Sequence, residues 1–178
     1  MHTQLYQTTC VRNKPLEWGV VPTAAKPDIK IEPLDRAGFE AWRSFVVGNA
    51  RLMRELDEEL RREHGFSLGD FDVLIHLSRA PRGGLRMCDL ASAVVLSPSG
   101  LSRRVERLER SGYVRRERAG GDGRSIEARL TAAGKRLLER LRATHLGGVR
   151  DRFANHFSSA ELETLHDLLG RLEGEVGR

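Results

Sequence analysis

The chain has 178 residues, 39 % of them hydrophobic and 31 % charged, a balance that builds one soluble core and excludes a disordered or membrane-embedded chain. No apolar run approaches the roughly 20 residues of a membrane span, and the first residues lack the basic-then-apolar pattern of a secretory signal, so cytoplasmic residence is expected. The formal net charge of +5 is unevenly placed: residues 97–131 hold nine arginines against five carboxylates, the footprint of a polyphosphate partner.

Residues 1–36 show no period and are punctuated by Pro15, Pro22, Pro27 and Pro33. They read as a partly extended N-terminal arm that Trp18 can anchor. Over 37–64, Phe39, Trp42, Phe45, Val46, Leu52, Met53, Leu56 and Leu60 recur every three to four residues, which defines one face of a helix. A helix of about 28 residues spans roughly 40 Å. One small domain does not cover that length, so the helix invites a partner from a second chain. The alternative is cover by the C-terminal helix of its own chain.

Gly65 ends the first helix. Ser67 caps the second, with Asp70 three residues on and Phe66 and Phe71 placed as a hydrophobic staple. The second helix runs to about Arg79, before Pro81, and a third covers 86–94. The fourth is capped by Ser97 and has Pro98 at its first position. Leu96 and Leu101 form its staple, and Leu101, Val105 and Leu108 its buried stripe. It ends near Ser111 and Gly112.

The period then changes. Residues 113–118 and 125–130 have strand character, and the glycine-rich tip 119–124 joins them as a hairpin. Thr131 caps a fifth helix carrying Leu137, Leu138, Leu141, Leu146, Val149 and Phe153. Ser158 and Glu161 make a capping box for a sixth. Phe157 and Leu162 form its staple, and Leu165, Leu168, Leu169 and Leu172 continue its apolar face. The expected fold is mainly α with a small β-hairpin wing: a winged helix-turn-helix lobe over 65–131, a first dimerisation helix over 37–64, and C-terminal dimerisation helices over 132–178.

The chemistry of the lobe follows from its faces. With Leu101, Val105 and Leu108 inward, the fourth helix presents Ser99, Gly100, Ser102, Arg103, Arg104 and Arg107 outward. Small hydroxylated residues beside Ser97 let a helix N-terminus approach a major groove, and its free N–H groups favour phosphate. Either Arg103 or Arg104 can reach guanine in a bidentate contact, with the other on phosphate. Arg116 and Arg118 extend the basic surface along the first strand. Arg124, on a thin glycine-flanked loop, suits a narrow minor groove, and Asp122 can orient it by a charge-assisted hydrogen bond.

Other functions find less support. No phosphate loop, nucleophile elbow or dinucleotide fingerprint is present, so no enzyme and no cofactor are expected. His145, His156 and His166 lack metal-ligand spacing. Cys10 and Cys88 form no paired motif. A redox-sensing regulator would use one of them, but Asp89 beside Cys88 disfavours a reactive thiolate. A sequence-tolerant architectural DNA binder would use the same arginines without site preference, and an acidic protein could dock on them.

The stretch Leu96-Ser97-Pro98-Ser99-Gly100-Leu101-Ser102-Arg103-Arg104-Val105-Glu106-Arg107-Leu108-Glu109-Arg110-Ser111-Gly112-Tyr113-Val114 resembles the recognition helix of the MarR (multiple antibiotic resistance regulator) family. Asp122-Gly123-Arg124-Ser125, followed by Leu130-Thr131, is similar to that family's wing signature. The resemblance covers about residues 37–175. It implies a homodimer built by the first and last helices, and a transcription regulator, often a repressor, that small aromatic or phenolic acids release from DNA. Two recognition helices would then sit about one DNA turn apart, roughly 34–36 Å, on a near-palindromic operator. The resemblance places the effector pocket between the dimer helices and the DNA-binding lobe. Candidate residues are Trp42 and Arg43 on the first helix, where an arginine beside an aromatic can hold a carboxylate and stack a ring. Asp72 and His76, four apart on the second helix, are the other candidates.

Overall fold

The computed structural model describes residues 34–80, 84–94, 98–118 and 126–173. The expectations for the arm before residue 34, including Trp18 and Cys10, and for Leu96, Ser97, Asp122 and Arg124 fall outside these residues. Among the described residues the chain forms six α-helices and one small antiparallel sheet. The expected fold class is therefore correct.

Helix α1 spans Arg36–His64. Its N-cap is Asp35, whose carboxylate accepts the Gly38 N–H at 2.7 Å. Its C-cap is Gly65, at φ 74°, with the N–H returned to the Arg61 carbonyl. That left-handed geometry suits glycine because a Cβ is penalised there. Helix α2 spans Leu68–Arg79 and opens with the expected capping box. Ser67 Oγ accepts the Asp70 N–H at 3.2 Å, and Asp70 Oδ2 accepts the Ser67 N–H at 2.8 Å. Ala80, the residue before Pro81, is extended, as the proline ring demands of its predecessor.

The next element is not among those the residue pattern predicts. Strand β1, Gly84–Arg86, pairs antiparallel with β3, Ile126–Leu130, which also pairs with β2, Val114–Arg118. The wing is thus a three-stranded sheet of order β1-β3-β2 rather than a two-stranded hairpin. Three residues are too few to show an alternation, so β1 leaves no periodic signal. Gly84 sits opposite Arg129, and a Cβ there would run into the Arg129 side chain.

Helix α3 spans Met87–Ala93, and α4 spans Pro98–Arg110. Gly112, at φ 75°, turns the chain from α4 into the sheet. Thr131 holds the far end of the wing. Its hydroxyl donates to the Gly112 carbonyl at 2.7 Å and accepts the Gly134 N–H at 3.0 Å, capping α5, Ala132–Arg152. A side chain at Gly134 would collide with the Tyr113 carbonyl, so α5 starts directly on the entry to β2.

Phe153, expected inside the fifth helix, is instead its C-cap, and a 3-10 turn over Ala154–His156 follows. Leu146, carried by α5 as expected, is 58 % exposed. Helix α6, Ser159–Glu173, begins with the expected box, Ser158 N–H to Glu161 at 2.8 Å.

The core sits between α2, α3, α4, the sheet and the first half of α5. Val73, Leu74, Leu77, Leu90, Val105, Leu108 and Leu141 are wholly buried. Helix α1 contributes only Leu56 and Leu60, near its C-terminal end, to the buried set. None of the α6 residues from Ser159 to Leu172 is buried. The apolar faces of α1 and α6 therefore do not cover each other within one chain. No described helix is long and apolar enough to cross a membrane.

Candidate nucleic-acid interface

Helix α4 is positioned by its inward stripe. Leu101, Val105 and Leu108 are at most 1 % exposed, which leaves Ser102, Arg103, Glu106, Arg107 and Arg110 at the surface. Ser99 and Gly100 occupy its first turn, and Gly100 is half-buried. Strand β2 runs on from the turn after α4. It is fastened by the Phe66–Tyr113 ring contact, centroids 5.5 Å apart and edge to face. Arg118, at the end of β2, is exposed.

The arginines divide into two groups. Arg103, Arg110 and Arg118 have no carboxylate partner among the described residues. Arg104, Arg107, Arg115, Arg116 and Arg129 are held. Arg104 donates to Asp70 Oδ1 at 3.0 Å and to Ser67 Oγ, and Arg107 donates to the same Asp70 oxygen. Arg116 donates to Glu109 Oε2 at 2.6 Å, and its backbone N–H to Oε1 at 3.0 Å. Arg115 pairs with Glu117 at 2.9 Å, and Arg129 with Glu127 at 2.8 Å.

The expectation that Arg103, Arg104 and Arg107 share one outward face thus meets a different arrangement. Arg103 points to solvent, whereas Arg104 reaches back over the N-terminus of α2. Arg104 and Arg107 lie 37 and 40 positions beyond Ser67 in the sequence, too far apart for any local spacing to announce the contact. Asp70 was legible as a capping residue but not as the partner of α4. Burial raises the Asp70 pKa, but hydrogen bonds from Arg107 and Ser67 and the nearby Arg104 charge outweigh it and hold the carboxyl below its ordinary range.

The effector candidates occupy two places. On α1 the Trp42 ring is 59 % exposed and stands 6.3 Å from Phe45. Arg43 approaches Glu40 at 3.8 Å. Trp42 lies fourteen residues before Leu56, about 21 Å along the helix. On α2 the His76 ring meets Asp72 at 3.4 Å, as their spacing predicts. Among the described residues no hydrogen bond, ion pair or ring contact joins the two pairs. Cys88 Sγ lies 3.6 Å from Asp89. No group of metal-ligating side chains occurs among the described residues.

This architecture recurs in proteins of known class. The MarR family model matches residues 64–125. The HTH-type transcriptional regulator PecS of Dickeya dadantii is 32 % identical over 150 residues, covering 83 % of this chain and 86 % of its own. Two solved structures from Streptomyces coelicolor are each 30 % identical. AbsC, a MarR family transcriptional regulator, superposes with a TM-score of 0.74 over 83 % of this chain and 99 % of its own. Sco3205, a MarR family transcriptional regulator in complex with DNA, superposes with 0.73 over 80 % and 89 %. The inward stripe of α4, the basic sheet beside it and these likenesses agree: the chain belongs to the MarR family of DNA-binding transcription regulators.

Proposed function

We propose that the protein is a homodimeric, sequence-specific repressor that binds a near-palindromic operator in the cytoplasm and leaves it when a small aromatic acid binds. One observation carries the dimer. Phe39, Trp42, Phe45 and Val47 of α1, Leu146 of α5, and Leu168 and Leu172 of α6 are all 45 % exposed or more. Exposed apolar side chains gathered on one helix face, as Phe39, Trp42 and Phe45 are by their three-residue spacing, mark an interaction site, and a second copy offers the matching surface by two-fold symmetry. The pair then presents two α4 helices to successive major grooves.

Ser97, Ser99, Gly100, Ser102 and Arg103 form the leading edge at the groove. Arg118 serves the flanking phosphates. Arg124, oriented by Asp122, enters the minor groove. Arg104, Arg107 and Arg116 line the same surface from their carboxylate partners. In the aromatic-acid reading, the exposed Trp42 ring stacks the ligand, Arg43 takes its carboxylate, and Asp72 with His76 lines the wall toward the lobe.

Footprinting on the neighbouring intergenic DNA tests the reading, with benzoate and phenolic acids added in turn. A protected inverted repeat that one of these acids releases supports it. Equal protection of all sequences would favour an architectural binder. Operator release that survives in both Trp42→Ala and Arg43→Ala would remove the pocket on α1. Unchanged operator affinity in Arg124→Ala would remove the wing contact.

A further inference from the structure

We infer that Asp70 is a specificity-setting residue: it holds Arg104 and Arg107 back from the phosphate backbone, so that Arg103 alone of the three is free to read the groove. The inference rests on α4 being the helix that meets DNA.

The Asp70 side chain is wholly buried. Its Oδ2 accepts the Ser67 N–H at 2.8 Å and the Ser67 hydroxyl at 2.7 Å. Its Oδ1 accepts Arg104 at 3.0 Å and Arg107. Both oxygens are therefore fully used, and two of the four donors come from the recognition helix. A buried carboxylate stripped of its cations is an uncompensated charge in a poor solvent. A phosphate, which is well solvated, competes badly for a guanidinium already in such a site.

The neighbouring chain is shaped to keep the contact. Gly69 leaves the notch in which the Arg104 guanidinium lies, and a Cβ there would fall 2.9 Å from Arg104 Cζ. The notch is anchored from α1, since Asp57 accepts the Leu68 N–H at 2.7 Å.

The consequence is electrostatic. Each arginine that neutralises a phosphate adds sequence-independent affinity and steepens the fall of log K with log salt by about 0.9. Withholding two of them per α4 lowers affinity for random DNA and leaves discrimination to base contacts.

The test uses the full chain on the footprinted operator and on a random duplex of equal length, each titrated across salt. Asp70→Asn should raise random-duplex affinity, steepen the salt slope by about 0.9 for each arginine released, and lower the operator-to-random ratio. Gly69→Ala displaces the Arg104 guanidinium while leaving the carboxylate intact, and favours the helix. It should act in the same direction and by less, which keeps the test open if Asp70→Asn does not fold. A merely structural role would weaken both duplexes in parallel with no change of slope, and that outcome overturns the inference. Arg103→Ala separates the two levels. If it leaves every duplex unaffected, α4 is not the DNA helix. If it abolishes site preference while neither Asp70→Asn nor Gly69→Ala alters the slope, only the role of Asp70 falls.

Discussion

The DNA-binding lobe and the helices around it use the same apolar residue types to opposite ends. In the lobe, Leu101, Val105, Leu108 and Val114 are at most 1 % exposed, and Arg104, Arg107, Arg115, Arg116 and Arg129 are tied to carboxylates. On the first half of α1 and on α6, Trp42 and Leu172 stand more than half exposed, with no second layer above them among the described residues. Burying a large apolar side chain contributes about 1.5–3 kcal/mol. The lobe has that gain within one chain. The first half of α1 and α6 obtain it only against another surface, so the lobe closes its core with α5 and the end of α1, whereas the helices we propose as a pairing platform do not.

The contrast breaks most visibly at the platform. The double variant Phe39→Glu with Trp42→Glu should sediment as a folded monomer. Operator affinity should fall about 100-fold or more, because two half-sites no longer bind as one. A variant that stays paired would show that these residues are not the seam. In the lobe, Leu108→Ala should cost about 2–5 kcal/mol in urea unfolding while leaving the folded fraction paired. Loss of pairing with the lobe intact would contradict the division drawn here.

Asp70 supplies the next effect. Its folded pKa lies below the unfolded value, so its contribution is complete above the unfolded carboxylate pKa. It is lost as pH falls through the folded one. Acid unfolding of the wild type should therefore show a limb below the ordinary carboxylate range that Asp70→Asn flattens. The smallest effect belongs to His145, whose ring packs 4.6 Å from Phe71. Burial holds its pKa below the ordinary value, against the opposing Glu59 charge. The stability it supports is complete above about pH 6.5 and shrinks as pH falls through the folded value. His145→Phe should reduce the drop in melting temperature between pH 7 and pH 5.

Helix starts were legible because a cap is a contact within three residues. Ser67 with Asp70, Thr131 with Gly134 and Ser158 with Glu161 could each be named from spacing, and each is made as expected. The stripe of Leu101, Val105 and Leu108 announced which side of α4 faces in. It did not announce where the arginines on the other side would go, because side-chain reach depends on what stands opposite. That is why Arg103 and Arg104, adjacent and chemically alike, could not be told apart.

From the order of residues alone came the helices, the caps at Ser67, Thr131 and Ser158, the glycine turns and the winged pattern, since propensity, capping and periodicity act over a few neighbours. The fold in three dimensions decided the rest. It recruited Gly84–Arg86 as a third strand, closed Arg104 and Arg107 onto a buried Asp70, and left the length of α1 before Leu56 without cover among the described residues. Each of these is a contact between segments distant in sequence, or the lack of one, and its energy exists only once the chain has folded back on itself.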